Sequence, residues 1–151
     1  MTPLPFIPCI FIGDSTANGA AMAYNASAAR PCLVVARDGA SPSAIAQSEI
    51  PGGAIGTAVI GAGTNDPLSP SLVSNLYATR RRISAQRVIW LLPYNRAAAY
   101  QVLRVAVAFG DFKLDLAELP GLPLPRRIER GLVHPKTYTG IATALRRWPI
   151  Q

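Results

Sequence analysis

Short apolar runs rich in β-branched residues alternate along this chain with stretches whose apolar positions recur at helical spacing. The runs predict strands at Phe6–Ile12, Cys32–Ala36, Ala58–Ala62, Val88–Leu92 and Lys113–Leu116. The stretches between them predict helices over Thr16–Ala29, Pro42–Ser48, Ser71–Ser84 and Arg96–Phe109. A last helix is expected over Lys136–Arg147, with Tyr138, Ile141, Ala142 and Leu145 on the face that packs against the sheet. Proline and glycine break both periodicities in "EIPGGAIG" and "ELPGLPLPRR", which therefore read as loops. Strands that alternate with helices form βαβ units around a parallel sheet. The expectation is one α/β domain over 1–151, a three-layer flavodoxin-like fold with a central five-stranded parallel sheet. In such folds ligands lie beyond the carboxyl ends of the strands, so the residues just after each strand matter most.

Composition adds limits to this picture. The chain has 151 residues and half are apolar, enough for one core that buries about two-thirds of the unfolded surface. No apolar run approaches the roughly 20 residues of a membrane span. The opening "MTPLPFIPCIFIG" lacks the positive start and small-residue cleavage site of a secretory signal. A soluble protein made in the cytoplasm without a signal peptide is expected. Cys9 and Cys32 are too few for a disulfide scaffold or a structural zinc site, and are expected as buried free thiols. No metal and no cofactor are expected.

The formal net charge of +7 comes mostly from arginine, clustered at Arg80, Arg81 and Arg82, at Arg126, Arg127 and Arg130, and at Arg146 and Arg147. Such clusters read as solvated faces that suit an anionic partner, among them an acidic glycan, without choosing one. A nucleic-acid partner is not expected, because the chain has no phosphate-cradling "GxxxxGK[ST]" loop and no aromatic-rich strand to stack bases.

The chemistry gathers at the strand ends. Gly13, Asp14 and Ser15 follow the first strand, Asp38 and Gly39 the second, and Gly63, Thr64, Asn65 and Asp66 the third. The chain's one histidine, His134, stands in "GLVHPKTY" just before the last helix, where it could reach the same edge. A serine, a histidine, a backbone N–H beside glycine and an asparagine amide are the parts that acyl transfer needs. Each has an ordinary reading as well: Ser15 as a helix cap, Gly39 and Asn65 as turn residues, His134 as a surface loop residue. Asp14 and Asp66 are expected to brace loops through backbone N–H groups. Tyr94 and Asn95, after the fourth strand, border a substrate pocket or simply end the strand.

"GDST", the glycine of "RDGAS", "GTND" and "VHP" resemble, in order and at compatible spacing, the four sequence blocks of the SGNH, or GDSL-type, hydrolases. The resemblance spans Phe11 to Pro135. It implies Ser15 as nucleophile, His134 as general base, and the Ser15 N–H, the Gly39 N–H and the Asn65 amide as oxyanion donors. The second block is degenerate and reaches Gly39 early. In the family an aspartate stands three residues before the histidine, where this chain has Gly131. The nearest upstream carboxylate is Glu129, so the resemblance leaves a Ser-His dyad or a triad completed by Glu129. Loss of the orienting carboxylate costs roughly 10⁴-fold in a serine protease. The expected activity is hydrolysis of short acyl esters, with O-acetyl groups on a carbohydrate as a fitting substrate, because a short member of the family leaves little chain for lids. The alternatives are a non-catalytic carbohydrate-binding module of the same fold, or a binder of anionic polymers.

Overall fold

The computed structural model describes residues 4–119 and 138–147. Among them the elements follow in the order β1 (Ile7–Gly13), α1 (Ser15–Asn25), β2 (Leu33–Ala36), α2 (Pro42–Ala46), β3 (Ile55–Gly61), α3 (Leu72–Arg81), β4 (Ala85–Leu92), α4 (Arg96–Phe109), β5 (Phe112–Asp115) and α5 (Thr139–Arg146). The strands form one all-parallel sheet in the order β2-β1-β3-β4-β5. This is the expected three-layer, flavodoxin-like architecture.

Strand alternation divides the core between the two faces. Ile10 and Ile12 of β1, Ala58 and Ile60 of β3, and Val88, Trp90 and Leu92 of β4 pack with α2, α3 and α4. Their neighbours Cys9, Phe11, Val59, Ile89 and Leu91 pack with α1 and α5. Strands covered on both sides need continuous apolar runs, and that is why these segments were conspicuous in the sequence. Ile141, Ala142 and Leu145 of α5 are buried and Tyr138 packs beside them, as their shared face predicted.

Several boundaries move for physical reasons. β3 begins at Ile55, inside the segment expected as a loop, because Ile55 is buried and pairs with both Ile7 and Ala85. α1 ends at Asn25 rather than Ala29. The Asn25 side chain turns out to bond both the N–H and the carbonyl of Cys32, at 2.8 and 3.0 Å, and the chain leaves the helix there.

The two cysteines are a correction. They are not free thiols but a disulfide, with Cα atoms 4.9 Å apart. β1 and β2 are neighbours in register with Ile10 opposite Leu33, so one step back along each strand brings Cys9 beside Cys32. Closing a loop with a sequence separation of 23 is worth about 3 kcal/mol in the chain-entropy account. A bridge is the form an oxidising environment maintains, whereas free thiols were expected of a protein made in the cytoplasm. No helix among the described residues is long and apolar enough to cross a membrane.

The arginines are corrected in part. Arg80 is no solvated surface residue. It pairs with Asp111 through two bonds of 2.7 and 2.9 Å, donates to the Ile83 carbonyl, and lies over the Phe109 ring. Arg82 donates to the carbonyls of Ala46 and Ser48, tying the end of α2 to the end of α3.

One backbone feature sets up the site. Gly13 ends β1 at φ 138°, and a Cβ there would stand 1.8 Å from the Gly61 carbonyl oxygen. Only glycine lets the chain cross this close to β3 and turn at once into α1. Asp14 then donates its N–H to that same carbonyl, at 2.9 Å.

Candidate active site

Three loops at the carboxyl edge of the sheet build the site. At the end of β1, the Asp14 side chain caps α1. Its Oδ1 accepts from the Thr16 N–H at 2.9 Å and from the Thr16 hydroxyl at 2.6 Å. The cap is therefore Asp14, as its expected bracing role implied, and Ser15 is left as the first residue of the helix. Its N–H belongs to the first turn, where the helix dipole is positive and favours a developing anion.

At the end of β2 the chain makes a tight turn, with the Ala40 N–H bonded to the Arg37 carbonyl at 3.1 Å. Gly39 occupies its third position at φ 79°, a conformation that favours glycine. Among the described residues nothing accepts a hydrogen bond from the Gly39 N–H. The Arg37 N–H reaches back to the Gly13 carbonyl at 3.0 Å, so this turn is fixed against the end of β1. Asn18 of α1 adds a second tie, donating to Asp38 at 3.1 Å.

At the end of β3, Asn65 donates one amide N–H to the Ala40 carbonyl at 3.2 Å. A primary amide has two such donors, so this bond aims the side chain without exhausting it. Asp66 follows at φ 54°, a left-handed conformation that aspartate tolerates better than most residues, and its carbonyl accepts from the Ser69 N–H.

The three loops converge. Ser15, Gly39 and Asn65 line one cavity of about 790 Å³, together with Asn18 and Asp38. Gly19, Met22, Ala23 and Tyr138 line the rest of it. Tyr138 lies across α1 so closely that a Cβ on Gly19 would be 2.4 Å from its ring. His134 and Glu129, with Arg126, Arg127, Arg130 and Gly131, lie outside the described residues.

Tyr94 and Asn95 do not line this cavity. Asn95 caps α4, its side-chain oxygen accepting from the Ala98 N–H at 3.0 Å. Tyr94 is 2 % exposed and packs in the core between the sheet and α5. Burial, with a smaller push from Asp115, raises its pKa from 10.0 to about 12.

Burial also dominates the other shifted groups. It raises the Asp14 carboxyl above the ordinary range, while Thr16 and the backbone of Thr64 and Ala17 pull the other way. Tyr138 is held well above the usual tyrosine range by burial first, then by the negative charges of Asp14 and Asp38 and by Tyr94. Its hydroxyl therefore stays a proton donor beside the cavity. Sequence reasoning placed Tyr138 on the core face of α5 and did not assign it to the site. Its position four residues past His134 was the available signal.

A hydroxyl at a helix start could attack a carbonyl carbon, and a turn N–H and an amide on a neighbouring loop could hold the oxyanion that forms. Among the described residues, no group of three or more His, Cys, Asp or Glu side chains is placed to hold a metal ion. Comparisons with protein-family models, with curated proteins and with solved structures return no match to this chain.

Proposed function

We propose that the protein is a serine-dependent ester hydrolase of the SGNH type. One observation carries this: Ser15, Gly39 and Asn65, from the ends of three different strands, line a single cavity. A sheet has no structural need to gather a hydroxyl and two oxyanion-type donors at one point, whereas acyl transfer does. In the proposed reaction the Ser15 Oγ attacks the ester carbonyl and His134 takes its proton. The oxyanion is held by the N–H groups of Ser15 and Gly39 and by the second N–H of Asn65. His134 then gives the proton to the departing alcohol, and water, activated in turn by His134, releases the acid from acyl-Ser15. Glu129 orients the imidazole if a triad operates, and Gly131 in place of the family's aspartate favours a dyad.

Arg80 is neutralised within the protein by Asp111, so it is withdrawn from the basic surface. The charged side chain on the described lining is Asp38, which is negative. A neutral ester, an acylated carbohydrate among them, suits the cavity better than an acidic glycan.

Ser15→Ala tests the proposal. It should lower hydrolysis of short aryl esters by roughly 10⁴-fold or more. The helix cap resides in Asp14, so the fold should lose less than about 1 kcal/mol, read by thermal unfolding. An organophosphonate should label the wild type at Ser15 with one-to-one stoichiometry. Turnover undiminished in the variant would sink the serine mechanism. Absence of both turnover and labelling in the wild type would leave a non-catalytic carbohydrate-binding module.

A further inference from the structure

We infer that the part of the cavity walled by α1 and Tyr138 is an acyl subsite, and that the substrate is an ester of a medium-chain acid rather than an acetyl ester. This rests on the ester-hydrolase function proposed above.

Ser15, Asn18, Gly19, Met22 and Ala23 all line the cavity, and their spacing of three, four, seven and eight residues puts them on one stripe of α1. The stripe changes character along its length. Near Ser15 it meets the polar groups of Asn18, Asp38 and Asn65. Two turns further on it offers only Met22 and Ala23, with Gly19 and the Tyr138 ring between. Met22 is 67 % exposed, so it is no part of the core, and it lies on the cavity lining. From Ser15 to Ala23 the helix advances roughly 12 Å, enough to lie along an extended acyl chain of up to about ten carbons.

The direction is fixed by chemistry. An ester carbonyl held beside Ser15, Gly39 and Asn65 has two substituents, and the apolar stripe suits the one without polar atoms. Asp38 at the polar end suits an uncharged alcohol. An acetyl group would not reach Met22 and Ala23, whereas each added methylene laid on the stripe should raise kcat/KM by up to about fourfold, the limit for full burial, and by less on this open face.

The test is the ratio of kcat/KM for 4-nitrophenyl octanoate to that for 4-nitrophenyl acetate. It should exceed about tenfold in the wild type, fall by at least about tenfold in Met22→Asp, and recover in Met22→Leu. A ratio at or below one, or one that Met22→Asp leaves unchanged, overturns the subsite while Ser15-dependent turnover keeps the hydrolase. If neither ester is turned over and Ser15 takes no label, the hydrolase fails, and calorimetric titration with octanamide decides the subsite by itself. Saturable binding that Met22→Asp removes and Met22→Leu restores retains it as a ligand site, and no binding overturns it.

Discussion

At the amino end of β5, the Asp111 carboxylate accepts two bonds from Arg80 and a third, of 2.9 Å, from the Trp90 indole. Phe109 covers the guanidinium and the Ile83 carbonyl takes a further N–H. At the other end of the sheet, beyond β1, β2 and β3, the same kinds of group are arranged differently. Asn65 donates once to Ala40 and keeps a second N–H, the Gly39 N–H meets no acceptor among the described residues, and both residues line a cavity with Ser15. The first cluster answers every charge with a neighbour and stabilises the fold. The second leaves donors open to solvent, where a ligand could replace water, and that is the arrangement the proposed function draws on.

The largest effect that could break this contrast is at Asp111. Replacing it with alanine leaves a mostly buried guanidinium and an indole N–H without their acceptor. Removal of one partner from a buried pair costs about 3–5 kcal/mol. Urea titration of Asp111→Ala should show that loss, with kcat/KM unchanged in the protein that remains folded. A drop in turnover ahead of unfolding would mean that the two ends of the sheet are coupled.

Asn65→Ala should give the converse. One oxyanion donor is worth roughly 10²–10³ in kcat, with little change in KM, because the interaction forms mainly in the transition state. Stability should fall by only about 1 kcal/mol, the net worth of the bond to Ala40. A variant altered only in KM would move Asn65 from the oxyanion hole to ordinary substrate binding.

The same contrast explains what the sequence revealed. Strands covered on both faces must be apolar throughout, so β1, β3 and β4 were visible as runs, and α4 was legible to the residue between its Asn95 cap and its Gly110 stop. The ends of β1, β2 and β3 stood out because glycine and small polar residues interrupt those runs. The disulfide was not legible, because it depends on β2 lying beside β1 and on their register, neither of which a single strand encodes. Arg80 was misjudged for a related reason: its partner lies 31 positions away, and only the packing of α3 against α4 brings them together. Asn95 looked like a site residue because capping and substrate binding call for the same amide.

Tyr94 belongs to neither cluster, and it gives the smallest and sharpest test of the division. Its hydroxyl is buried without a hydrogen-bond partner among the described residues, and it is absent from the lining of the Ser15 cavity. If it is a core residue, Tyr94→Phe should leave KM unchanged and alter stability at neutral pH by less than about 1 kcal/mol, since the lost oxygen had no bond to lose. The pH dependence should nevertheless change. The folded-state pKa of about 12 lies above the unfolded value of 10.0, so the folded protein holds the phenolic proton longer. That contribution is fully present below pH 10 and is lost as pH rises towards 12. Melting temperature followed across this range should fall less steeply in Tyr94→Phe, with Tyr138, shifted in the same direction, supplying the remaining slope. A tenfold rise in KM with an unaltered alkaline limb would instead put the Tyr94 hydroxyl in contact with substrate, and the boundary of the site would have to move past β4 to include it.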